Sequence, residues 1–255
     1  RRHGRGGPLP RRPRRGGGEG RRRPRARLPD VAVQGNLDPL CLFGSHQEIR
    51  RRAEETNFMG LDSVFLAAAM IYDGNRRISE QAAVGAFFDQ GKLDRLVEII
   101  AEAAEVLRAE GVRAGLHNHI GSLIETEYEI DYVLENVDAS LLGASLDIGH
   151  LAWAGIDYRD MLRKHRDRLL DLHLKDMDLS IAAASRQRPT SYYEVADQRF
   201  FLEPGLGDID LDGVLADLNE YDFRGWVIIE VDRASMEPFE SAKFSWNWVQ
   251  NRVPE

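Results

Sequence analysis

Residues 141–176 read LLGASLDIGHLAWAGIDYRDMLRKHRDRLLDLHLKD and contain one repeat of strand, helix and strand. Apolar runs at 142–147 and 169–174 predict buried strands, and the segment 157–165 between them predicts a helix. A strand that returns to the same sheet after a helix runs parallel to the strand before it. The stretch therefore predicts a parallel α/β sheet.

The same alternation continues on both sides of this stretch. The longest predicted helix begins with Ser79 as its N-cap and ends at Gly111, and Gly91 is a point where it can divide. The segment 176–206 lacks a periodic pattern and is predicted to be a long polar connection. Further strands are predicted at 31–33, 62–67, 112–117 and 225–230, and further helices at 45–57, 79–110, 126–136, 210–220 and 237–249.

These segments give about six strand–helix units, which predicts an α/β fold of the (β/α)8 TIM-barrel type. Because eight units are expected in that fold, the barrel is predicted to be incomplete or irregular at the N-terminus. An open parallel sheet is the alternative architecture.

Composition separates residues 1–30 from the rest of the chain. These residues hold twelve arginines and seven glycines, and Glu19 and Asp30 are their only acidic residues. A segment of this kind cannot bury a core, so 1–30 is predicted to be a disordered Arg/Gly/Pro-rich leader and 31–255 the barrel domain. The remaining residues carry 40 acidic and 22 basic side chains. Such a surface repels a phosphate backbone, so nucleic acid is not expected as a partner.

Two further features of the sequence bear on its cellular location. It has no run of about 18 apolar residues, so no membrane partner is expected. Cys41 is its only cysteine, which excludes an internal disulfide and favours a cytoplasmic location. At 255 residues and 43% hydrophobic content, the chain is long enough for one large domain.

Acids and imidazoles stand at the carboxyl ends of four predicted strands. In a parallel barrel these ends meet at the face where such enzymes carry out their chemistry. Imidazole and carboxylate together suit Mn²⁺, Co²⁺, Fe²⁺, Zn²⁺ or Mg²⁺. A single histidine or aspartate here is also explained by hydrogen bonding or helix capping, but four such places in successive units favour a metal site. The four places are Leu116-His117-Asn118-His119, Leu146-Asp147-Ile148-Gly149-His150, Leu172-His173-Leu174-Lys175-Asp176 and Ile229-Glu230-Val231-Asp232.

From about residue 31 to residue 250 the sequence resembles the sugar phosphate isomerase/epimerase superfamily, the xylose isomerase-like barrels that include inosose dehydratase and ketohexose 3-epimerases. The resemblance implies a metal-dependent barrel enzyme that acts on a small-molecule keto-sugar, keto-inositol or related polyol through an enediolate intermediate. It also leaves homo-oligomerisation open. The motifs that carry it are HNHIGSLIETEYEID (117–131), LDIGHLAWAGID (146–157), DRLLDLHLKD (167–176), PGLGDIDLDGVLADL (204–218) and YDFRGWVIIEVD (221–232).

The resemblance assigns metal ligands by position. Asp147, His173 and Glu230 match the family's ligands, and His117 stands where many members have a glutamate. The ligand set expected from the resemblance is therefore Asp147, His173, Glu230 and His117. Mn²⁺ or Co²⁺ is the expected metal, with Mg²⁺, Fe²⁺ or Zn²⁺ as alternatives. His150 matches a residue that contacts substrate oxygens in related epimerases.

Histidine at position 117 changes the expected chemistry, because two-base epimerisation needs a proton acceptor on each face of the carbon. Glu230 is then the only obvious carboxylate base on a strand end, which favours dehydration of the inosose dehydratase type. Glu230 is predicted to be the catalytic base, and His117 or His119 to return the proton. His119, His150 and Lys175 are predicted to bind the substrate.

Two other functions stay open at this point. The first is that of a barrel endonuclease acting on abasic DNA, which shares the architecture but needs a basic groove. The second is an inactive truncated barrel that retains a metal site. In that case residues 1–30 would replace the first strand and helix, and an open sheet edge would be exposed.

Overall fold

The computed structural model describes residues 45–70, 72–73, 76–77, 82–188 and 190–252. The strands, in chain order, are β1 Ser63–Ala67, β2 Tyr72–Asp73, β3 Arg76–Arg77, β4 Arg113–His117, β5 Leu142–Asp147, β6 Leu169–Leu174, β7 Asp176–Met177, β8 Phe201–Leu202 and β9 Trp226–Ile229. The predicted leader at 1–30, the predicted strand at 31–33, Cys41 and Ser79 lie outside the described residues.

Helices are present near the predicted ranges 45–57, 126–136, 157–165, 210–220 and 237–249, whereas the helices at Ile148–Trp153, Leu179–Ser185 and Tyr192–Ala196 were not predicted. None of the helices in the described residues is both long and apolar enough to cross a membrane. They are α1 His46–Phe58, α2 Gln90–Ala109, α3 Glu127–Asn136, α4 Ile148–Trp153, α5 Tyr158–His165, α6 Leu179–Ser185, α7 Tyr192–Ala196, α8 Leu211–Glu220 and α9 Pro238–Gln250, with a short 3-10 turn at Arg166–Arg168.

Five strands form one parallel sheet in the order β1-β4-β5-β6-β9. The order follows the chain without reversal, whereas a doubly wound open sheet reverses its direction at a switch point. This winding is that of a barrel, so the predicted fold class is confirmed. The register pairs Ala67 with His117 and Asp147 with His173, which brings the carboxyl ends of the strands together at one edge of the sheet.

The predicted helix over 79–110 is wrong at its start. Residues 82–87 form turns, and α2 begins at Gln90, where the Asp89 side chain accepts a hydrogen bond from the backbone N–H of Lys92 at 2.8 Å. Ala83 and Gly85 both have positive φ, which a right-handed helix does not allow. Apolar spacing alone does not reveal such a change of backbone direction.

The segment 176–206, predicted as a long polar connection, contains regular secondary structure. It holds α6, α7 and the antiparallel pair β7–β8. Its buried Phe200 and Phe201 pack against Trp153 of α4, with ring centroids 4.7 and 6.0 Å away. Trp153 is itself fully buried and donates a hydrogen bond from Nε1 to Ser185 Oγ at 2.9 Å. The aromatic contacts join this insertion to the hydrophobic core that the sheet and its helices share.

A glycine substitution tests the close approach of β4 and β5. A Cβ added at Gly115 would lie 1.9 Å from Ser145 Oγ and 2.9 Å from Ser145 Cβ, so the strands would have to move apart. We expect Gly115→Ala to lower the free energy of unfolding by about 1–3 kcal/mol in urea denaturation. In the control, Gly91→Ala in α2, the added Cβ would lie 3.4 Å from Asp89 Oδ1, an ordinary contact, and the free energy of unfolding should rise by about 0.5–1 kcal/mol. Equal effects of both substitutions would contradict this account of the sheet.

Candidate metal centre

Three side chains from adjacent strands meet at the carboxyl ends of the sheet. His117 ends β4, Asp147 ends β5, and His173 lies in β6. One ligand-type atom of each lies within 4.8 Å of those of the other two, and all three residues are buried. The structure therefore brings together three of the four residues predicted as ligands. Glu230, the fourth, lies next to this cluster rather than in it.

The hydrogen bonds of the two histidines leave one nitrogen of each available. His117 Nδ1 lies 3.2 Å from the carbonyl oxygen of Ser145, which can only accept, so this nitrogen carries the proton. His173 Nδ1 lies 2.6 Å from Glu230 Oε2. The Nε2 atom of His173 is buried and has no hydrogen-bond partner in the described part of the chain. Histidines that bind metals show this pattern, in which the far nitrogen is held by a carbonyl or carboxylate. The cluster therefore fits a divalent cation.

Asn118 ties the ends of β4 and β5 together. Its Nδ2 donates to the backbone oxygen of Asp147 at 3.2 Å, and its Oδ1 accepts from the backbone N–H of Asp147 at 2.9 Å. Asp147 Oδ1 in turn accepts from the backbone N–H of His150 and caps α4. The Asn118 bonds fix the backbone of Asp147. The bond to His150 orients its side chain and leaves Oδ2 to face Lys175 at 3.0 Å.

A lysine ammonium lies at the centre of the acidic groups. Lys175 is fully buried, and its Nζ lies 3.0 Å from Asp147 Oδ2, 2.9 Å from Asp232 Oδ1 and 3.4 Å from Glu230 Oε1. Burial would lower the pKa of Lys175, but the three carboxylates raise it well above its ordinary value. The ammonium is therefore charged, and the sequence could not decide whether this side chain points inward.

Burial also sets the protonation of the histidines. It lowers the pKa of His117, assisted by the charge of His173, and that of His150, assisted by the charge of Lys175, well below the ordinary value of histidine. Both rings are therefore neutral at pH 7, as a ligand or a hydrogen-bond acceptor must be. For His173, burial is again the largest influence and acts to lower the pKa, but the hydrogen bond to Glu230 and the charges of the nearby carboxylates together outweigh it and raise the pKa.

A second polar group lies beside the first. Ligand-type atoms of His119, His150 and Asp232 lie within 4.8 Å of one another. Lys175 Nζ lies 3.1 Å from His150 Nε2 and already places a positive charge there. Tyr192 Oη donates to Asp232 Oδ2 at 2.8 Å. This group is therefore better suited to substrate hydroxyls than to a second cation.

A cavity of about 510 Å³ opens above these groups. Among the predicted site residues, Glu230 and His119 line it, whereas the three buried ligand candidates, His150 and Lys175 do not. Asp232 and Tyr192 also line it, although the sequence assigned no role to either. Asp232 could have been found from its spacing of two from Glu230, but Tyr192 comes from the insertion, which carries no pattern. The cavity is lined by His119, Tyr192, Tyr193, Ala196, Phe201, Glu230, Val231, Asp232 and Arg233.

A parallel, barrel-wound sheet with a histidine–aspartate cluster at its carboxyl edge defines a TIM-barrel protein whose cluster could hold a divalent cation. The chain belongs to the xylose isomerase-like TIM barrel family, whose model matches residues 43–252. The superfamily resemblance predicted from the motifs is thereby confirmed.

Curated relatives include inosose dehydratases. The one from Geobacillus kaustophilus is 29% identical over 180 residues, which are 70% of this chain and 58% of the relative. The one from Lactiplantibacillus plantarum is 27% identical over 171 residues, 66% of this chain and 57% of the relative. The chain thus spans less than two thirds of the length of these relatives.

Solved structures with the same fold include sugar epimerases. The apo 3-keto-D-glucoside 4-epimerase YcjR from E. coli has a TM-score of 0.59 at 17% identity and covers 87% of this chain and 76% of its own. The IolI protein with a bound zinc atom has a TM-score of 0.58 at 18% identity and covers 81% and 68%. At these identities the likeness concerns the fold alone.

Removing the buried ammonium tests the electrostatics of the centre. Lys175→Met leaves the buried carboxylate of Asp147 and the cavity-lining carboxylate of Asp232 without a cation, and we expect the free energy of unfolding to fall by about 3 kcal/mol at pH 7 in urea denaturation. The pKa of Asp232, which burial alone would raise, is held well below its ordinary value by Lys175. Because the pKa of Asp232 is lower in the folded chain than in the unfolded chain, its ionised carboxylate stabilises the folded state at pH values above the unfolded pKa of about 3.9. This stabilisation is lost as the pH falls from that value through the folded pKa. The difference from the wild type should therefore narrow in acid.

The matched control is Lys243→Met, since Lys243 is exposed on α9 and 3.9 Å from Glu240. It should change the free energy of unfolding by less than about 0.5 kcal/mol at any of these pH values. A loss of similar size in both variants, or a loss that does not depend on pH for Lys175→Met, would show that the buried ion pairs contribute little.

Proposed function

We propose that this chain carries the site of a divalent-metal-dependent isomerase, epimerase or dehydratase that acts on a keto-sugar, keto-inositol or related polyol. The observation that carries the proposal is the cluster of His117, Asp147 and His173, with Glu230 between it and the cavity. Family membership and the inosose dehydratase relatives support the same class of chemistry.

His117, Asp147 and His173 are the residues that would hold the metal, and Glu230 remains a predicted fourth ligand. When bound, a divalent cation supplies Lewis-acid stabilisation of negative charge on substrate oxygens. Nitrogen and carboxylate donors accept several divalent ions, and Mn²⁺ or Co²⁺ is our proposal for this chain. Zn²⁺ is the main alternative, since zinc is the ion in the similar IolI structure.

Glu230 is the group that we assign as the base. Its carboxylate lines the cavity, and its side chain is 36% exposed, so it can reach a substrate proton next to a carbonyl. Removal of that proton gives an enediolate. Asp232, the other carboxylate at the cavity, is engaged by Lys175 and Tyr192 and is less free to accept a proton.

We assign His119, rather than the more deeply buried His117, to proton transfer to and from substrate oxygens. His119 lines the cavity, whereas His117 is 4% exposed and packs on Phe65 and His173, with ring centroids 4.7 and 4.5 Å away. One available carboxylate beside one imidazole favours dehydration over two-base epimerisation. Buried below the cavity, Lys175 and His150 would act on the substrate through Asp232 and Glu230.

The endonuclease alternative finds less support at this site. Arg233 is the arginine that lines the cavity, and it forms an ion pair with Asp197, so its charge is already compensated. A DNA backbone requires several cations along its path. Binding of an abasic duplex at low salt would nevertheless favour the nuclease over the sugar enzyme.

The first test of the proposal is metal binding. Adding Mn²⁺, Co²⁺ or Zn²⁺ at about 100 times its Kd should stabilise the folded chain by about 2.7 kcal/mol, seen as a higher melting temperature. Asp147→Asn removes a ligand charge and should abolish most of this shift. Asp160→Asn, on the exposed surface of α5, should leave the shift intact. A wild-type protein that no divalent ion stabilises would remove the basis of the assignment.

The second test concerns the base. Glu230→Gln keeps the size of the side chain but cannot accept the proton, so turnover of a keto-inositol or ketohexose should fall by about 100-fold or more. Deuterium uptake from solvent into the substrate measures the proton step directly. The metal-induced rise in melting temperature should be smaller but still present, because three of the four proposed ligands remain. Substantial residual deuterium exchange would exclude Glu230 as the base.

A further inference from the structure

The carboxylate of Glu125 is buried between two loops and accepts hydrogen bonds from both. Its Oε2 accepts from the backbone N–H of Gly121 at 2.7 Å and of Ala83 at 3.3 Å, and its Oε1 accepts from the backbone N–H of Gly85 at 2.8 Å. Glu125 is only 2% exposed. Neither the sequence motifs nor the metal centre gives this acid a role.

The bond to Gly121 reaches His119 through a single peptide unit. The N–H of Gly121 and the carbonyl of Ile120 belong to the same planar peptide, so they point in opposite directions. The carbonyl oxygen of Ile120 lies 2.8 Å from His119 Nδ1. Glu125 therefore fixes one side of the peptide, and His119 contacts the other.

This geometry decides the tautomer of His119. A carbonyl oxygen can only accept, so Nδ1 of His119 must carry the proton and Nε2 is left bare. The negative charge of Glu125 on the N–H side polarises the peptide and makes the Ile120 oxygen a stronger acceptor. Gly121 has φ +83°. Because glycine has no Cβ, the 120–121 peptide could also adopt other orientations if no hydrogen bond held it.

The rest of the surroundings keeps the ring in place. The backbone N–H of His119 donates to Ile124 O at 3.1 Å, which closes the loop. On its other side the ring stacks on Tyr192, with centroids 5.7 Å apart and planes at 25°. The turn that Glu125 holds also reaches the insertion, because the Ala82 N–H donates to Thr190 O at 3.3 Å.

We propose that Glu125 is a positioning residue that acts through the 120–121 peptide. It holds His119 with Nδ1 protonated and Nε2 bare toward the polar group at the cavity. His119 then meets a substrate hydroxyl as an acceptor of its proton. The orientation of the His119 ring can be measured without a substrate. Its importance for turnover rests on the proposed function.

The experiment begins with the unaltered chain, labelled with ¹⁵N-histidine. Long-range ¹H–¹⁵N spectra distinguish a protonated from a bare ring nitrogen, and His119→Asn assigns the signals among the seven histidines. Spectra are recorded without metal and with Zn²⁺, which is diamagnetic. We expect His119 to be neutral with its proton on Nδ1. A proton on Nε2 would overturn the proposal even if no variant could be made.

The variants then test the role of Glu125. Glu125→Met removes the acceptors, so the His119 signals should move toward a mixture of tautomers and kcat/KM should fall by about 10-fold or more. Glu125→Gln keeps one acceptor oxygen, so both the change in the His119 signals and the loss of kcat/KM should be smaller than in Glu125→Met. The Zn²⁺-induced rise in melting temperature should not change, because His119 is not in the ligand cluster.

The matched control is Glu129→Met. Glu129 is equally buried, and it accepts from the backbone N–H groups of Glu125 and Thr126 at the start of α3 without contacting the 120–121 peptide. It should lower stability without changing the His119 signals. The proposal is wrong if Glu129→Met shifts the His119 signals as much as Glu125→Met does. It is also wrong if Glu125→Met leaves those signals unchanged. Because the spectra need no substrate, a failure of the proposed sugar chemistry would appear only in kcat/KM.

Discussion

The arrangement of the site depends on one desolvated cation. Lys175 Nζ lies among Asp147, Asp232 and Glu230 in a place where water does not compensate charge. Without that ammonium, the buried carboxylate of Asp147 would face those of Asp232 and Glu230, and the three negative charges would repel one another. Lys175 directly follows β6, and it attracts the carboxylate at the end of β5 and those that follow β9. These ion pairs therefore hold the ends of the three strands together.

Around this cluster of charges, the polar groups of the site are held by a backbone oxygen, an asparagine amide and a carboxylate. Ser145 O holds the His117 ring, Asn118 holds the Asp147 backbone, and Glu230 holds the His173 ring. In each case the residue that is held, His117, Asp147 or His173, keeps one side-chain atom free to face the centre. A site organised in this way exists before a ligand arrives, which reduces the reorganisation that binding and reaction require.

The insertion of residues 176–206 connects this rigid edge of the sheet with the cavity. Its helix α7 begins with a capping box between Ser191 and Glu194, which fixes the first turn where Tyr192 stands. Tyr192 then meets both Asp232 and His119. The loops that would distinguish substrates thus contact the residues proposed to handle their protons, and specificity and chemistry share the same few side chains.

The sequence by itself determined the alternation of strands and helices, the parallel sheet and the positions of His117, Asp147, His173 and Glu230, because period and strand ends are local properties. Only the tertiary structure decided that α2 begins at Gln90 with Asp89 as its N-cap, that Lys175 points inward, and that Tyr192 and Glu125 reach the site. These facts depend on backbone direction and on contacts between segments distant in the chain. Glu125 touches Gly85, 40 positions away, through hydrogen bonds to main-chain N–H groups, which all residues except proline possess. The pattern of side chains in the sequence therefore does not predict this contact.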